Sequence, residues 1–178
     1  VKLIAFDPGF DVTGWAIFNP CRPPDTLQSA VGALSECGEI RTELGDSHPQ
    51  RISHLGSQVH FLLTIHNPDF VVLELPAYEG DYGNDRRRRP GVNKLYMAIG
   101  AIMAHTHGER VVTVKAPGQA KSFRHELLAS AARMAEVELP EGPRGGVRED
   151  AWDAVWAGCS VLLEKGPLIF GAGGVRGQ

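Results

Sequence analysis

A short apolar run, Leu3-Ile4-Ala5-Phe6, leads directly into a carboxylate and a turn, Asp7-Pro8-Gly9, before a second apolar run resumes from Val12 to Phe18. Much later the pattern returns: Phe70-Val71-Val72-Leu73 closes on Glu74, and Pro76 follows. Brief continuous apolar runs of this kind, with β-branched residues, read as strands covered on both faces. A buried strand that ends in a charge needs a solvent exit there or a partner for that charge. The two runs confine the chain to a layered α/β fold, with helices covering both faces of a sheet.

The remaining elements follow from periodicity and punctuation. Residues 1–7 and 12–18 form two strands joined by a tight turn, with Pro8, Gly9 and Gly14 as breakers. Residues 21–29, holding Pro23 and Pro24, read as a loop, and a third strand covers 30–42 with a break at 36–38. Three strands in close succession predict an antiparallel meander. Ile52, Leu55, Val59, Leu62 and Leu63 recur at helical spacing over 47–66, and Asn67-Pro68 ends that helix. A second helix is predicted over 92–107, a fifth strand over 110–115, a third helix over 119–137 and a last helix over 150–165. The order βββ-α-β-α-β-α-α predicts a mixed five-stranded sheet flanked by helices. We place one domain at residues 1–166 and a Gly-rich, frayed tail at 167–178.

The second helix is apolar nearly all round, with Val92, Leu95, Tyr96, Ile99 and Met103 on one side and Met97, Ala98, Ala101 and Ala104 largely on the other. Such a helix is covered twice. The sheet can supply one cover and either a second subunit or the third helix the other, and in the dimer Ala101 is expected to face the partner.

Cys21, Cys37 and Cys159 are an odd number at no metal-like spacing, which reads as reduced thiols in a cytoplasmic compartment. No segment is long enough to span a bilayer and the first apolar run is too short for a signal sequence, so a soluble protein without a membrane partner is expected. A formal net charge of -3 gives no general attraction to polyanions. Binding of nucleic acid therefore needs a local basic patch, and Arg86, Arg87, Arg88 and Arg89 form one between Glu74 and the second helix. Asp81 and Asp85 offset it in part. Its place just after an acidic strand end favours contact with a phosphate backbone.

Asp7 and Glu74 lie side by side if their strands are parallel neighbours, because ligand sites of open α/β sheets gather at strand C-termini. Asp150 and Asp153, three residues apart, share one face where the last helix opens. Each feature alone is ordinary: Asp-Pro-Gly makes turns, and acids suit the first turn of a helix. Together, four carboxylates in one place repel one another, and a divalent cation removes the conflict. Oxygen ligands without His or Cys nearby in sequence point to Mg²⁺ or Mn²⁺. Two such ions would suit phosphodiester hydrolysis.

Phe6-Asp7-Pro8-Gly9 followed by Thr13-Gly14-Trp15-Ala16, then Glu74 closing a later strand, then Asp150-Ala151-Trp152-Asp153-Ala154, resembles the RuvC-type Holliday-junction resolvases over residues 1–165. The resemblance implies a ribonuclease H-like fold and a crossover junction endodeoxyribonuclease that is a homodimer on four-way DNA junctions. It implies Asp7, Glu74, Asp150 and Asp153 as ligands of two Mg²⁺ ions, with Mn²⁺ able to substitute. The stretch Ala116-Pro117-Gly118-Gln119-Ala120-Lys121 is similar to the family's basic segment and makes Lys121 a candidate for the scissile phosphate, with Lys115 as a further DNA contact. Two positions depart from the pattern. Asp11 stands in the first turn where a small or basic residue is expected, and Tyr78, displaced behind Pro76, only approximates the family's aromatic residue at the crossover. The alternative activity is a ribonuclease H-like nuclease acting on flaps, other branched DNA or RNA·DNA hybrids.

Overall fold

The computed structural model describes residues 1–75, 89–106, 111–115, 120–141 and 148–172, with side chains from residue 93 in the helix that opens at Arg89 and as far as 171 in the last helix. Ten elements follow in order: β1 Leu3–Asp7, β2 Val12–Phe18, α1 Leu27–Val31, β3 Leu34–Arg41, α2 His48–His66, β4 Phe70–Leu75, α3 Arg89–Met103, β5 Val111–Lys115, α4 Lys121–Ala135 and α5 Glu149–Ala172. The strands form one mixed sheet in the order β3-β2-β1-β4-β5. The meander β1-β2-β3 is antiparallel, whereas β1-β4 and β4-β5 are parallel.

Strand alternation sorts the side chains onto two faces. Leu3, Ala5, Ala16, Phe18 and Val72 pack under α1, α4 and α5, while Ile4, Phe6, Ile17, Val71 and Leu73 pack under α2 and α3. Asp7 continues the Leu3-Ala5 series and Glu74 the Val72 series, so both carboxylates belong to the α5 face. Close approach of α5 depends on missing side chains. A Cβ on Gly158 would stand 2.2 Å from the Phe18 ring, and one on Gly14 would stand 1.8 Å from the Asp150 carbonyl oxygen.

Several boundaries differ from the sequence reading. Residues 27–31, expected to be loop and then strand, form a helix capped by Thr26, whose hydroxyl accepts from the Ser29 N–H at 3.1 Å. The third strand runs unbroken through Gly38, where any Cβ would stand 2.9 Å from the Trp15 indole. α3 begins at Arg89 because Pro90 is tolerated in a first helical turn, where its missing N–H has no intrahelical partner to lose. α5 does not stop at Lys165: it passes Gly166 and Pro167 to Ala172, because Ile169 is buried in the α5-side core. Ala101 does not face outward. It is 8% exposed and packs with Ala98 and Ile102 in the core shared with α2, leaving Tyr96, Met97 and Met103 on the outer side of α3.

The three thiols are free. Burial pushes Cys37 up to about 11 and Cys159 higher still, which keeps both as unreactive thiols. No helix among the described residues is long and apolar enough to cross a membrane.

Candidate active site

The first turn is built to present Asp7. Thr13 is fully buried, and its hydroxyl donates to the Gly9 carbonyl at 2.7 Å and accepts from the Gly9 N–H at 3.3 Å, closing the loop after β1. The loop is anchored a second time by Arg51 on α2. Its guanidinium donates to Thr42 Oγ1 at 2.8 Å and to the Phe10 carbonyl at 3.3 Å, lies 4.3 Å over the Phe10 ring and pairs with Asp11. The unexpected acid at position 11 is therefore the counterion of a buried arginine.

Register places the acids in a row across the sheet. Glu39 of β3 pairs with Gly14 of β2, Gly14 pairs with Asp7 of β1, and Phe6 pairs with Leu73, which sets Asp7 beside Glu74 of β4. With no Cβ at Gly14, the backbone of α5 comes down on the row at Asp150 and Ala151. The Asp150 and Asp153 side chains follow on that first turn and a half of α5.

The electrostatics record the crowding. Burial raises Asp7 well above the usual carboxylate range, and the charges of Glu74, Asp153 and Asp150 add to the rise. Burial, then the Asp153 charge, pushes Glu74 up to about 7 against the opposing pull of Arg124 and Lys121. Asp150 is also raised, first by burial, with Glu39, Asp153 and Glu149 adding and Lys121 opposing. The Glu74 Oε2 oxygen is buried and has no hydrogen-bond partner among the described residues.

Asp153 is instead drawn toward α4. Lys121 Nζ lies 2.7 Å from its Oδ2 and 3.1 Å from Glu149, while His125 Nε2 and Arg124 Nη2 lie 3.1 and 3.4 Å from its Oδ1. Burial acts to lower the Lys121 pKa, but its contacts with Asp153 and Glu149 outweigh that and raise it. Among the described residues no three His, Cys, Asp or Glu side chains are gathered as a ready-made cage for a metal ion. Asp7 is brought within electrostatic reach of the other three predicted carboxylates, and the lysine stands on Asp153.

The residues nevertheless fit a hard divalent cation. A buried acceptor without a donor, Glu74 Oε2, is the group that a cation would satisfy, and the surrounding donors are carboxylate oxygens. Lys115 is exposed at the end of β5, where it pairs with Leu75 next to Glu74. Tyr78, Arg86, Arg87 and Arg88 lie outside the described residues, as does the side chain of Arg89. Three residues absent from the sequence reading join the site: Glu39, whose side chain is 2% exposed, Arg124 and His125.

No family model matches the chain. It is 38% identical over 72 residues to the crossover junction endodeoxyribonuclease RuvC of Dictyoglomus thermophilum, a match covering 40% of this chain and 41% of that protein. The RuvC of Dictyoglomus turgidum is 36% identical over the same length. The match thus spans about two fifths of the length of these curated relatives. Among solved structures, the chain is similar to T. thermophilus RuvC in complex with a Holliday junction substrate, with a TM-score of 0.63 and 19% identity over 94% of this chain and 96% of that one. It is also similar to the yeast mitochondrial Holliday junction resolvase, with a TM-score of 0.59 and 10% identity over 93% and 79% of the two chains. The mixed five-stranded sheet with its flanking helices has the ribonuclease H-like architecture of RuvC, and the resemblance seen in the sequence extends to the fold.

Proposed function

We propose that the chain is a metal-dependent endonuclease that resolves four-way DNA junctions in the cytoplasm, working as a homodimer with two Mg²⁺ ions, or Mn²⁺ in their place, at each site. The observation that carries this reading is the row of acids converging from β1, β4 and α5, with one buried Glu74 oxygen left without a partner among the described residues. Asp7, Glu74, Asp150 and Asp153 would hold the cations. When bound, these supply Lewis acidity for attack of water on a phosphodiester and for departure of the leaving oxygen.

The chain's own groups supply position and charge. Lys121 is 40% exposed and shared between two carboxylates, and with a cation held by the acids it would be released to hold the scissile phosphate. Lys115, Arg86, Arg87, Arg88 and Arg89 would contact the flanking backbone, and Tyr78 would stack on an unpaired base. The loop anchor formed by Arg51, Phe10 and Asp11 keeps the turn after Asp7 from moving as the strand of DNA arrives. The outer side of α3, with Met97 and Met103 exposed and open space at Gly100, suits a two-fold contact with a second copy. Two sites related by that axis match the two symmetric strands of a four-way junction.

The test is a cleavage panel in Mg²⁺ with a four-way junction, a three-way junction, a flap, a duplex and an RNA·DNA hybrid. Paired nicks in the four-way junction, with the duplex spared, are expected. Equal cutting of flaps or hybrids would favour the broader ribonuclease H-like nuclease, and full activity in excess chelator would refute metal dependence.

A further inference from the structure

Asp153 divides its oxygens between two kinds of partner. Oδ2 takes Lys121, which is 40% exposed and shared with Glu149. Oδ1 takes His125 and Arg124, whose side chains are 11% and 9% exposed. A carboxylate only accepts, so His125 donates from Nε2. Its ring is set edge-on to Trp152, with centroids 5.4 Å apart at 67°, and the Trp152 indole N–H in turn donates to the Pro140 carbonyl at 3.1 Å. The imidazole is thereby fixed from both sides.

Arg124 is the costlier member. Among the described residues its Nε and Nη1 are buried without partners, and the polar contact of its side chain is with Asp153. A buried guanidinium with undonated N–H groups costs stability, a cost that a role at Asp153 would explain.

We infer that Arg124 and His125 are positioning residues: they clamp Asp153 through Oδ1 and so reserve Oδ2 as the oxygen offered to a divalent cation when Lys121 leaves. The inference rests on the metal-dependent reading of the site. Orienting groups behind a metal ligand commonly govern its affinity by about 10- to 100-fold. Charge alone predicts the opposite sign for Arg124, because deleting a neighbouring cation favours a metal ion. The two explanations are therefore separable.

The experiment is a titration of the metal-free full chain with Mn²⁺, without DNA, followed by electron paramagnetic resonance. His125→Phe keeps a ring against Trp152 and removes the donor, and should weaken Mn²⁺ binding by about 10-fold. His125→Gln, which restores an N–H near the place of Nε2, should bind close to wild type. Arg124→Met should also weaken binding, whereas Lys121→Met, which clears Oδ2, should tighten it. Melting curves in chelator identify a variant that fails to fold, and in that event the other position carries the test. Wild-type protein that binds no Mn²⁺ overturns the metal reading and this inference with it. Wild-type protein that binds while His125→Phe and Arg124→Met bind equally well or better overturns the positioning role alone.

Discussion

Gly14→Ala tests whether the site is assembled by backbone contact between β2 and α5. The new Cβ would meet the Asp150 carbonyl oxygen at 1.8 Å, the Asp150 carbonyl carbon at 2.3 Å and the Ala151 nitrogen at 3.0 Å. All three are backbone atoms, so no side chain can rotate away. Relieving the closest contact to 3.0 Å requires α5 and β2 to separate by about 1.2 Å. Because Gly14 pairs with Asp7, that separation falls between the two halves of the acid row. A misplacement of about 1 Å costs on the order of 100-fold in rate, roughly 2.7 kcal/mol on the barrier. Overpacking of a tight contact costs about 1–3 kcal/mol of stability. The assay is single-turnover cleavage of a four-way junction at saturating enzyme in Mg²⁺, with urea unfolding alongside. Gly45→Ala is the control: nothing lies within 4 Å of its Cβ position, so neither the rate nor the stability should fall. A Gly14→Ala protein that folds and cuts at the wild-type rate would refute the idea that this contact sets the carboxylate geometry.

Asp7→Asn, Glu74→Gln, Asp150→Asn and Asp153→Asn should each abolish cleavage while junction binding, read by gel shift in Ca²⁺, persists; a variant that still cuts removes its residue from the ligand set. Glu74, raised from 4.5 to about 7, keeps its proton where the unfolded chain has lost it. The metal-free protein should therefore lose up to about 3 kcal/mol as pH climbs from about 4.5 through about 7, and Glu74→Gln should remove that segment of a urea-midpoint profile; stability that rises over this window would refute the burial argument. Met97→Glu should leave the fold intact but give monomers by sedimentation, since an unpaired carboxylate repeated across a two-fold axis costs several kcal/mol, and an unchanged dimer would move the interface off α3. Arg51→Met should lower stability by about 2–4 kcal/mol through the lost bonds to Thr42, Phe10 and Asp11, a loss that thermal melting should detect.

The parts of this architecture that sequence makes legible are those written as local pattern. Leu3-Ile4-Ala5-Phe6 and Phe70-Val71-Val72-Leu73 announce buried strands, and their terminal acids announce the site, because a charge at such an end is expensive anywhere else. α3 shows where pattern stops: with apolar residues on both sides, periodicity gives the helix but not its rotation, so Ala101 was assigned outward although it is buried against α2. The Thr26 cap was missed because Ser29 stands where a capping box usually has Glu or Gln. Glu39 was invisible for a different reason, since only the β2–β3 register brings it into the acid row. For Arg124 and His125 a signal did exist. With Lys121 they occupy positions i, i+3 and i+4, one face of basic residue types in the opening turns of α4, where the helix dipole disfavours the charges of Lys121 and Arg124. Such a face calls for anions brought by another element.

The two helices that open onto the site carry opposite charge, and only α5, beginning with Glu149 and Asp150, agrees with its own dipole. The cations of α4 are thus set by the acids they face. The site manages its charge in three ways when no metal is bound: protons favoured on Asp7 and Glu74, fixed donors on one Asp153 oxygen, and an exchangeable lysine on the other. A divalent cation makes the first and third unnecessary and leaves the second in place. Loading the site should therefore release protons and free Lys121 in the same event. On the proposed reading, a cation held by the acid row would also release Lys121 for the phosphate, which would couple metal binding to substrate capture through Asp153.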